Sequence, residues 1–288
     1  MGISDFGEMS RLAQMARPTD AVFTLIGNAH LDRLHDRTGV FKAKTEMLEY
    51  MPCDGTVFLN ADDDLLCACD CRQRKVLYGL GDNAGVRAEN IRVESAAMQT
   101  CDIVFGKRRI HVSIPAYGRH MVYAALEGAA VGMKFGLSDD EIIRGIASYE
   151  TVGRRANVID TGFITVIDDC YNANPDSVKC AIDSMCASRG RKVCILGDML
   201  EMGTARAERH ADIGRYAVSH GVELLLCVGE MSENTARAAE GIASLHFDSN
   251  SQLIAELPKL IKKGDTVLVK ASHSMRLEEV SEALKLLK

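Results

Sequence analysis

Acidic and amide side chains are concentrated in one short segment of the chain. Asp168 and Asp169 follow an apolar, β-branched run, and Asn172, Asn174 and Asp176 come within a few positions of them. In open α/β sheets, ligands bind outside the carboxyl ends of the strands, so these side chains form the first candidate site. A competing interpretation is that the aspartates only end a strand and cap a helix. A cap requires one such group, so the concentration of several favours a binding site.

Two basic side chains in the first half of the chain are further candidates. His30 comes just after the apolar run 21–26 and is placed for ligand binding, although a single His is more often structural. Lys44 lies on the apolar stripe of a helix predicted over residues 39–51. An amine in such a stripe costs free energy unless it snorkels to solvent, is paired or is modified. For Lys44, snorkelling and a functional role are both open.

Three cysteines alternate at positions 67, 69 and 71. This spacing could place three sulfur atoms on one face of a strand, as in a zinc site, but the sequence has no matching Cys or His pair at finger-like spacing. Small, half-buried thiols are the better interpretation. The chain has ten cysteines and its first residues do not resemble a signal peptide, which indicates reduced thiols and a cytoplasmic location.

The composition and the absence of certain sequence patterns argue against several classes of protein. The net charge of −6 argues against a general nucleic-acid binder, which normally carries a basic stripe. No apolar run approaches the roughly 20 residues that a membrane span requires. The sequence contains no Gly-x-x-x-x-Gly-Lys-[Ser/Thr] phosphate loop. A length of 288 residues predicts two domains, and the sequence pattern changes near residue 152.

The first candidate site is framed by a predicted strand and a predicted helix. Residues 163–167 form the apolar strand run. Asn174 is a good N-cap, and Pro175 suits the first position of a helix. The apolar stripe of this helix and its C-terminal cap consist of Val178, Ala181, Ile182, Met185, Cys186 and Gly190. The candidate residues therefore lie in the turn between strand and helix.

Strand and helix patterns alternate through the second half of the chain. This alternation predicts an α/β fold with a doubly wound, mostly parallel sheet over residues 152–288. Its further predicted strands are 193–196, 224–228 and 266–269, and its further helices are 205–220, 231–240, 251–262 and 275–287. The elements predicted within residues 1–151 are a helix at 5–16, strands at 56–59, 75–79 and 90–94, a hairpin of 103–105 with 110–114, and a capping box of Ser138 and Glu141.

Several segments resemble, in the same order, the motifs of the Mur ligases, in particular those that add D-alanyl-D-alanine to the UDP-N-acetylmuramoyl-tripeptide of the bacterial cell wall. The resemblance is clearest over residues 169–175. The other matching segments are 27–31, 43–46, 59–63, 118–123, 196–203 and 270–275. The chain departs from the family at Ala124, Ala271 and His273, where Asn, Gly and Arg are usual. Spaced motifs in the right order are far more specific than any one of them alone.

The resemblance implies roles for individual residues. His30 and a carbamylated Lys44 would serve a catalytic magnesium ion, because a carbamate turns a buried cation into a metal-ligating anion. The residues implied at the ATP site are Asn60, Arg155, Asp169 and Asn172, with Arg154 as the alternative register for the arginine. The residues implied near the amine substrate are Asp198, His210, Lys270, Ser272 and Ser274.

The resemblance also implies a fold and a reaction. Residues 1–151 would be the later part of a Mur-ligase central ATPase domain, and residues 152–288 a Rossmann-like C-terminal domain. With ATP and Mg²⁺, the carboxylate of UDP-N-acetylmuramoyl-tripeptide would become an acyl phosphate, which the amine of D-alanyl-D-alanine attacks. A UDP-binding domain, a phosphate loop and a magnesium-binding Glu are expected before Met1, in an enzyme that is monomeric when complete. The chain alone is expected to be inactive.

Two other functions compete with this one. Because it lacks a phosphate loop, the chain could be a non-catalytic module that binds nucleotide and peptide. It could also resemble a related amide ligase such as folylpolyglutamate synthetase, although the match over residues 171–175 argues against that.

Overall fold

The structure, a computed structural model, describes residues 1–28, 30–95, 97–116, 118–151, 153–186, 188–200, 202 and 205–288. The chain forms two compact units. Unit 1 consists of Met1–Arg92, Thr100–Ile114 and His120–Tyr149, and unit 2 of Val93–Gln99, Pro115–Arg119 and Glu150–Lys288. The main division therefore follows Tyr149. The predicted boundary residue, Val152, lies outside the described residues.

The first sheet has six strands in the order in which they occur along the chain. These strands are β1 (Asp20–Phe23), β2 (Thr56–Asn60), β3 (Arg74–Gly79), β4 (Val86–Ser95), β5 (Met98–Phe105) and β6 (Arg108–Ile114). The first three neighbouring pairs, from β1 to β4, are parallel. Every residue of β2 is buried, as expected for a central strand of a covered parallel sheet. The predicted hairpin is confirmed by β5 and β6, which are neighbours in the sheet.

The helices of unit 1 are α1 (Glu8–Ala16), α2 (Leu31–Leu34), α3 (Arg37–Thr45), α4 (Asp64–Cys67), α5 (His120–Lys134) and α6 (Asp139–Ala147). The predicted helix over 39–51 is wrong in its second half, where Glu46–Tyr50 form a 3-10 turn. The Thr45 hydroxyl donates to the carbonyl oxygen of Phe41 at 2.8 Å. Such back-bonding bends helices and accompanies the change here.

Two further expectations for unit 1 had different outcomes. The capping box is confirmed, because Ser138 and Glu141 exchange hydrogen bonds at the start of α6. The strand predicted over 21–26 is too long, since β1 ends at Phe23. The backbone beyond it binds side chains instead: Asn60 donates to the carbonyl oxygen of Thr24 at 3.0 Å.

The second sheet has the strand order β11-β10-β9-β12-β8-β7. Its strands are β7 (Asn157–Asp160), β8 (Thr165–Asp168), β9 (Lys192–Gly197), β10 (Leu224–Val228), β11 (Ala243–Phe247) and β12 (Thr266–Lys270). All neighbouring pairs are parallel except β7 with β8. Neither β7 nor β11 was predicted. Both are edge strands without a fully buried residue, so they lack the apolar run that marks β9, β10 and β12.

Helices cover both faces of the second sheet, which confirms the doubly wound prediction. They are α7 (Pro175–Cys186), α8 (Arg206–Ser219), α9 (Ser232–Ala238), α10 (Asn250–Leu260) and α11 (Glu278–Lys285). One apolar cluster joins Ile167 and Leu225 to residues of α7 and α8, and the other joins Val166 and Leu226 to residues of α10 and α11. Alternate strand residues thus enter opposite cores, as the twofold period of a strand requires.

Two helix starts in unit 2 bear on the site. The predicted N-cap of α7 is confirmed, because the Asn174 side chain accepts from the backbone N–H of Ser177 at 2.8 Å. The helix predicted over 275–287 begins later, at Glu278. A 3-10 turn, His273–Met275, comes first, and Arg276 then adopts a left-handed φ of 53° that a continuous helix does not allow. Among the described helices, none is long and apolar enough to cross a membrane.

Candidate functional site

The carboxyl edge of the second sheet gathers most of the predicted site residues. β8 ends at Asp168, β12 ends at Lys270, and β9 ends one residue before Asp198. The parallel register places Asp168 beside Val269 and Lys270 beside Leu196. Side chains that are up to about a hundred residues apart in the sequence therefore meet at one edge, where α/β sheets bind ligands.

A buried ion pair lies at the centre of this edge. The Lys270 Nζ donates to the Asp169 Oδ2 at 2.5 Å and to the Asn172 carbonyl oxygen at 3.0 Å. The Lys270 side chain is 3% exposed and that of Asp169 is 17% exposed. The Asp169 Oδ1 accepts from the backbone N–H of Ala156 at 3.0 Å. Lys270 thus neutralises a carboxylate that keeps a narrow exposed edge, and it fixes the loop that follows β8.

The two adjacent arginines have different surroundings. Arg154 donates to the buried Asp168 at 2.6 Å and to Glu282 at 2.8 Å. Its bond to Glu282, followed by the charge of Asp168, raises the pKa of Arg154 further above its already high value. Arg155 is exposed, and its guanidinium carbon lies 3.9 Å from the centre of the Tyr171 ring. Arg154 therefore holds the fold together, while Arg155 presents its cation at the surface.

Tyr171 was not among the predicted site residues, yet it is an exposed aromatic side chain at this edge. Its side chain is 45% exposed, and its ring centre lies 5.7 Å from that of His273. Together with Arg155 it forms a cationic, aromatic surface suited to stacking with a planar ring and to binding an anion. Its position between Asp169 and Asn172 in the motif was the signal that sequence analysis could have used.

Cys170 is a structural donor in this segment. Its thiol donates to the Asp168 Oδ1 at 2.9 Å. Burial, followed by this hydrogen bond, raises the pKa of Cys170 to about 12. The thiol is therefore protonated at neutral pH, and it completes the partners of a carboxylate that faces the interior. The hydrogen bonds of Asp168 therefore stabilise the fold, whereas Asp169 borders the open edge.

Asp198 and Ser272 connect the loops that follow three strands. The Asp198 Oδ1 accepts from the backbone N–H of Ser232 at 2.7 Å, and its carbonyl oxygen accepts from that of Ser272 at 3.1 Å. The Ser272 hydroxyl accepts from the backbone N–H of Leu200 at 2.9 Å. Gly229 has a φ of 111°, and a Cβ there would lie 2.7 Å from the Asp198 Oδ1. The loops therefore pack closely around one carboxylate.

His210 and Ser274 are placed very differently. His210 is buried, its Nε2 accepts from the backbone N–H of Met199 at 2.9 Å, and its Nδ1 lies 2.7 Å from the Arg206 carbonyl oxygen. The Nε2 therefore holds the loop after β9, and the Nδ1 contacts the first turn of α8, the helix that contains His210. Ser274 lies exposed on the turn before α11. Glu201 and Gly203, from the same matching segment as Asp198, lie outside the described residues.

The predicted metal residues lie in unit 1. His30 is exposed at the start of the four-residue helix α2, with a left-handed φ of 54°. Lys44 is half-buried in the last turn of α3, which packs against α2. Within the described ranges, no group of three His, Cys, Asp or Glu side chains is arranged to hold a metal ion. Because Mg²⁺ prefers oxygen ligands, an imidazole and an unmodified amine do not fit it by themselves.

The polar side chains after β2 brace loops. Asn60, predicted at the ATP site, binds the Thr24 carbonyl oxygen with one end of its amide, and the other end accepts from the backbone N–H of Asp62 at 3.0 Å. The buried Asp63 accepts from three backbone N–H groups, those of Ile26, Leu65 and Leu66, at 2.9 to 3.1 Å. Asn60 and Asp63 at this edge therefore have protein partners.

Family profiles match both halves of the chain. The profile described as "Mur ligase middle domain" matches residues 1–132, and the one described as "Mur ligase, glutamate ligase domain" matches residues 154–273. The chain is 29% identical to the UDP-N-acetylmuramoyl-tripeptide–D-alanyl-D-alanine ligase of Bacillus subtilis and 32% identical to that of Escherichia coli. Each alignment covers 99% of this chain, which spans 63% and 64% of the length of these two relatives.

Solved structures share the fold. The crystal structure of a MurF ligase from Thermotoga maritima in complex with ADP superposes with a TM-score of 0.87 at 23% sequence identity. The superposition covers 98% of this chain and 65% of that one.

Proposed function

The chain belongs to the Mur ligase family, and we propose that it forms the middle and C-terminal parts of an ATP-dependent ligase that joins D-alanyl-D-alanine to UDP-N-acetylmuramoyl-tripeptide. The named activity of the Bacillus subtilis and Escherichia coli relatives supports this reaction. A cytoplasmic location is part of the proposal, because ATP is a cytoplasmic substrate. The proposal also includes that the complete enzyme is a monomer.

The observation that carries the proposal is the convergence of Asp169, Lys270 and Arg155 at one edge of the second sheet. The paired carboxylate of Asp169 can accept a hydrogen bond from a ribose hydroxyl on its exposed side. Arg155 can neutralise phosphate, and Tyr171 beneath it offers a planar surface. Asn172, whose exposed side chain is adjacent, would border the same nucleotide.

The substrate side of the proposal uses the loops around Asp198. Asp198, Ser272 and His210 hold these loops in place, so we assign them to positioning the amine substrate rather than to the reacting atoms. Ser274 is exposed and can contact the substrate directly. In the reaction, the tripeptide carboxylate receives phosphate from ATP, the amine of D-alanyl-D-alanine attacks the acyl phosphate, and phosphate leaves.

The metal requirement would be met only in part by this chain. We propose that His30 and a carbamylated Lys44 contribute to a magnesium site, with the carbamate supplying the oxygen that an amine lacks. Bound Mg²⁺ would offset the negative charge of the phosphate groups. The position of Lys44 supports this assignment, because it is half-buried in the last turn of α3, which packs against α2, the helix that follows His30. A bicarbonate-dependent gain in mass at Lys44, absent in Lys44→Arg, would support this assignment, and an unmodified Lys44 in saturating bicarbonate and Mg²⁺ would contradict it.

The test of the ligase proposal compares Arg155 with an exposed arginine outside the site. The chain is joined to the N-terminal region that its Escherichia coli relative has and this chain does not span, and ATP-dependent ligation is measured with both substrates and Mg²⁺. Arg155→Ala should weaken ATP binding by about 1–3 kcal/mol, the usual loss for a hydrogen bond involving a charged group. Asp169→Asn should also weaken it. Arg237→Ala, on the exposed surface of α9, is the matched control. Equal ATP affinity in Arg155→Ala and the control would overturn the assignment.

One observation favours a second candidate for the chain by itself. The sequence contains no phosphate loop, the element that supplies several backbone donors and a Lys to the β- and γ-phosphates. Without this element the chain would bind nucleotide and peptide without turnover. Phosphate release from ATP by the purified chain, in the presence of both substrates, separates the two candidates. Release that follows the chain through purification would exclude the non-catalytic module.

A further inference from the structure

Two cysteines of unit 1, outside the candidate site, are separated by a single residue. Cys69 and Cys71 belong to the loop between α4 and β3. Cys69 is buried and Cys71 is half-buried. Burial raises the pKa of Cys69, and the neighbouring Cys71, through its charge and a hydrogen bond, raises it further. The two cysteines are thus close in the chain, and both line the same cavity.

The geometry of the loop permits a bond between these sulfur atoms. Two residues of chain span at most about 7 Å, and disulfides join Cα atoms about 4.4–6.8 Å apart. Residues 68–73 belong to neither a helix nor a strand, so no regular hydrogen-bond pattern opposes a small adjustment. The contacts of the two thiols with carbonyl oxygens are long, 3.9 Å from the Cys69 Sγ to the Asp70 oxygen and 3.8 Å from the Cys71 Sγ to the Gln73 oxygen. Little hydrogen bonding is lost when the thiol protons leave.

A small reagent can reach the pair. Both cysteines line a cavity of about 590 Å³ whose wall also includes Phe41, Leu48 and the exposed Arg72. Lys75 donates to the Cys69 carbonyl oxygen at 3.1 Å, and its positive charge acts to lower the pKa of Cys69 against the effect of burial. Burial nevertheless keeps the pKa of Cys69 above its ordinary value, so the first attack on the reagent falls to the more exposed Cys71.

We propose that Cys69 and Cys71 are a redox-active dithiol that closes reversibly into a disulfide within the loop. The oxidant is the disulfide of a low-molecular-weight thiol. Cys71, the more exposed thiol, loses its proton to solvent and attacks one sulfur of this disulfide, whose S–S bond breaks and releases one thiolate. The Cys69 thiolate then attacks the Cys71 sulfur, and the second small thiolate leaves. Two protein thiols are oxidised, and one small disulfide is reduced to two thiols.

Cys67 is the nearest alternative partner and differs in its contacts. It ends α4, and its sulfur lies 3.5 Å from the Asn83 Nδ2. Because it belongs to the same short stretch of sequence, Cys67→Ser is a matched control for Cys69→Ser and Cys71→Ser. The control separates a specific pair from general reactivity of the segment.

The experiment equilibrates the purified chain with glutathione disulfide, blocks the remaining thiols and digests the protein with a protease that cleaves before Asp. Cleavage before Asp64, Asp70 and Asp82 gives the peptides 64–69 and 70–81, which only a disulfide can hold together. The linked pair should form in the wild-type chain and in Cys67→Ser, and dithiothreitol should separate it. It should be lost completely in Cys69→Ser and Cys71→Ser.

Two outcomes would overturn the proposal. One is a linked peptide pair that disappears in Cys67→Ser, which would make Cys67 the partner. The other is a wild-type chain that forms only mixed disulfides with glutathione. If the buried Cys69→Ser variant fails to fold, the half-buried Cys71→Ser variant still decides, because it must show a glutathione adduct rather than a linked pair.

Discussion

At the carboxyl edge of the second sheet, charged side chains pair with each other across strand ends, as Lys270 does with Asp169. At the corresponding edge of the first sheet, Asn60 and Asp63 bind mainly backbone groups, and Asp63 has in addition a longer contact of 3.5 Å with Arg37. The first arrangement neutralises charge and leaves Arg155 exposed at the edge. The second produces a scaffold in which Asn60 and Asp63 already have protein partners.

The difference shows that a polar side chain at the end of a strand can either stabilise the fold or bind a ligand. The partners of the side chain distinguish the two roles. Asp168 and Asp169 are adjacent in sequence, yet Asp168 is closed in by Arg154 and Cys170. Asp169 keeps an exposed edge. The variants below distinguish residues that stabilise the fold from residues that bind a ligand, and they are given in order of decreasing expected effect.

Removal of the buried amine should have the largest effect. Lys270→Met leaves the Asp169 carboxylate without its cation, and breaking a buried pair from one side costs about 3–5 kcal/mol in the free energy of unfolding. Urea unfolding followed by circular dichroism measures it. Adding Asp169→Asn should recover part of the loss. Lys259→Met, which removes an exposed pair with Glu256, should cost under about 1 kcal/mol. Equal losses for the two Lys variants would show that Lys270 is not a buried partner.

Substitutions of the two adjacent arginines, Arg154 and Arg155, should differ in their effect on the free energy of unfolding. Arg154→Ala leaves the buried Asp168 without its cation and should cost about 2–4 kcal/mol in urea unfolding, reduced by the partial exposure of Arg154. Arg155→Ala loses only an exposed contact with Tyr171 and should cost under about 1 kcal/mol. A larger loss for Arg155→Ala would reverse the roles assigned to the two residues.

The scaffold edge of the first sheet is tested at Asp63. Asp63→Ala removes the acceptor for three backbone N–H groups and should cost about 2–3 kcal/mol in the free energy of unfolding. The neighbouring Asp64 is exposed and pairs with Arg37, so Asp64→Ala should cost less. If Asp63→Ala instead weakened ligand binding without loss of stability, this edge would resemble that of the second sheet.

The smallest expected effect is a pH dependence at Glu127. The Tyr78 hydroxyl lies 2.8 Å from the Glu127 Oε1 and 2.9 Å from the Phe23 carbonyl oxygen. The hydroxyl carries one proton, so a protonated Glu127 satisfies both contacts. Burial raises the pKa of Glu127 above 4.5. Its stabilising contribution is therefore complete below pH 4.5 and is lost as the pH rises through the higher pKa of the folded state.

The difference in unfolding free energy between Glu127→Gln and wild type isolates this group. Gln stays neutral, so the variant should gain stability relative to wild type as the pH increases from 5 to 8. Glu141 provides the opposite control, because its bonds to Ser138 lower its pKa. Glu141→Gln should lose stability relative to wild type as the pH rises through that lowered pKa. A difference between Glu127→Gln and wild type that does not change with pH would show that Glu127 does not titrate as described.

Periodicity and capping signals identified most of the elements that position the site. The stripe of α7, its cap at Asn174 and the apolar runs of β9, β10 and β12 are local patterns, and each is present as expected. The edge strands β7 and β11 escaped prediction because a half-exposed strand has no continuous apolar run. The end of β1 was misplaced because Asn60, from the next strand, takes the Thr24 carbonyl oxygen.

The sequence by itself determined the α/β class, the doubly wound second half and the segments that carry the site, because these follow from residue patterns within one element. Only the tertiary structure decided which arginine and which aspartate face outward. Arg154 is held by Glu282, 128 residues away, and Asp169 by Lys270, 101 residues away. Such partners are brought together by the order of strands in the sheet, and local sequence carries no signal for them.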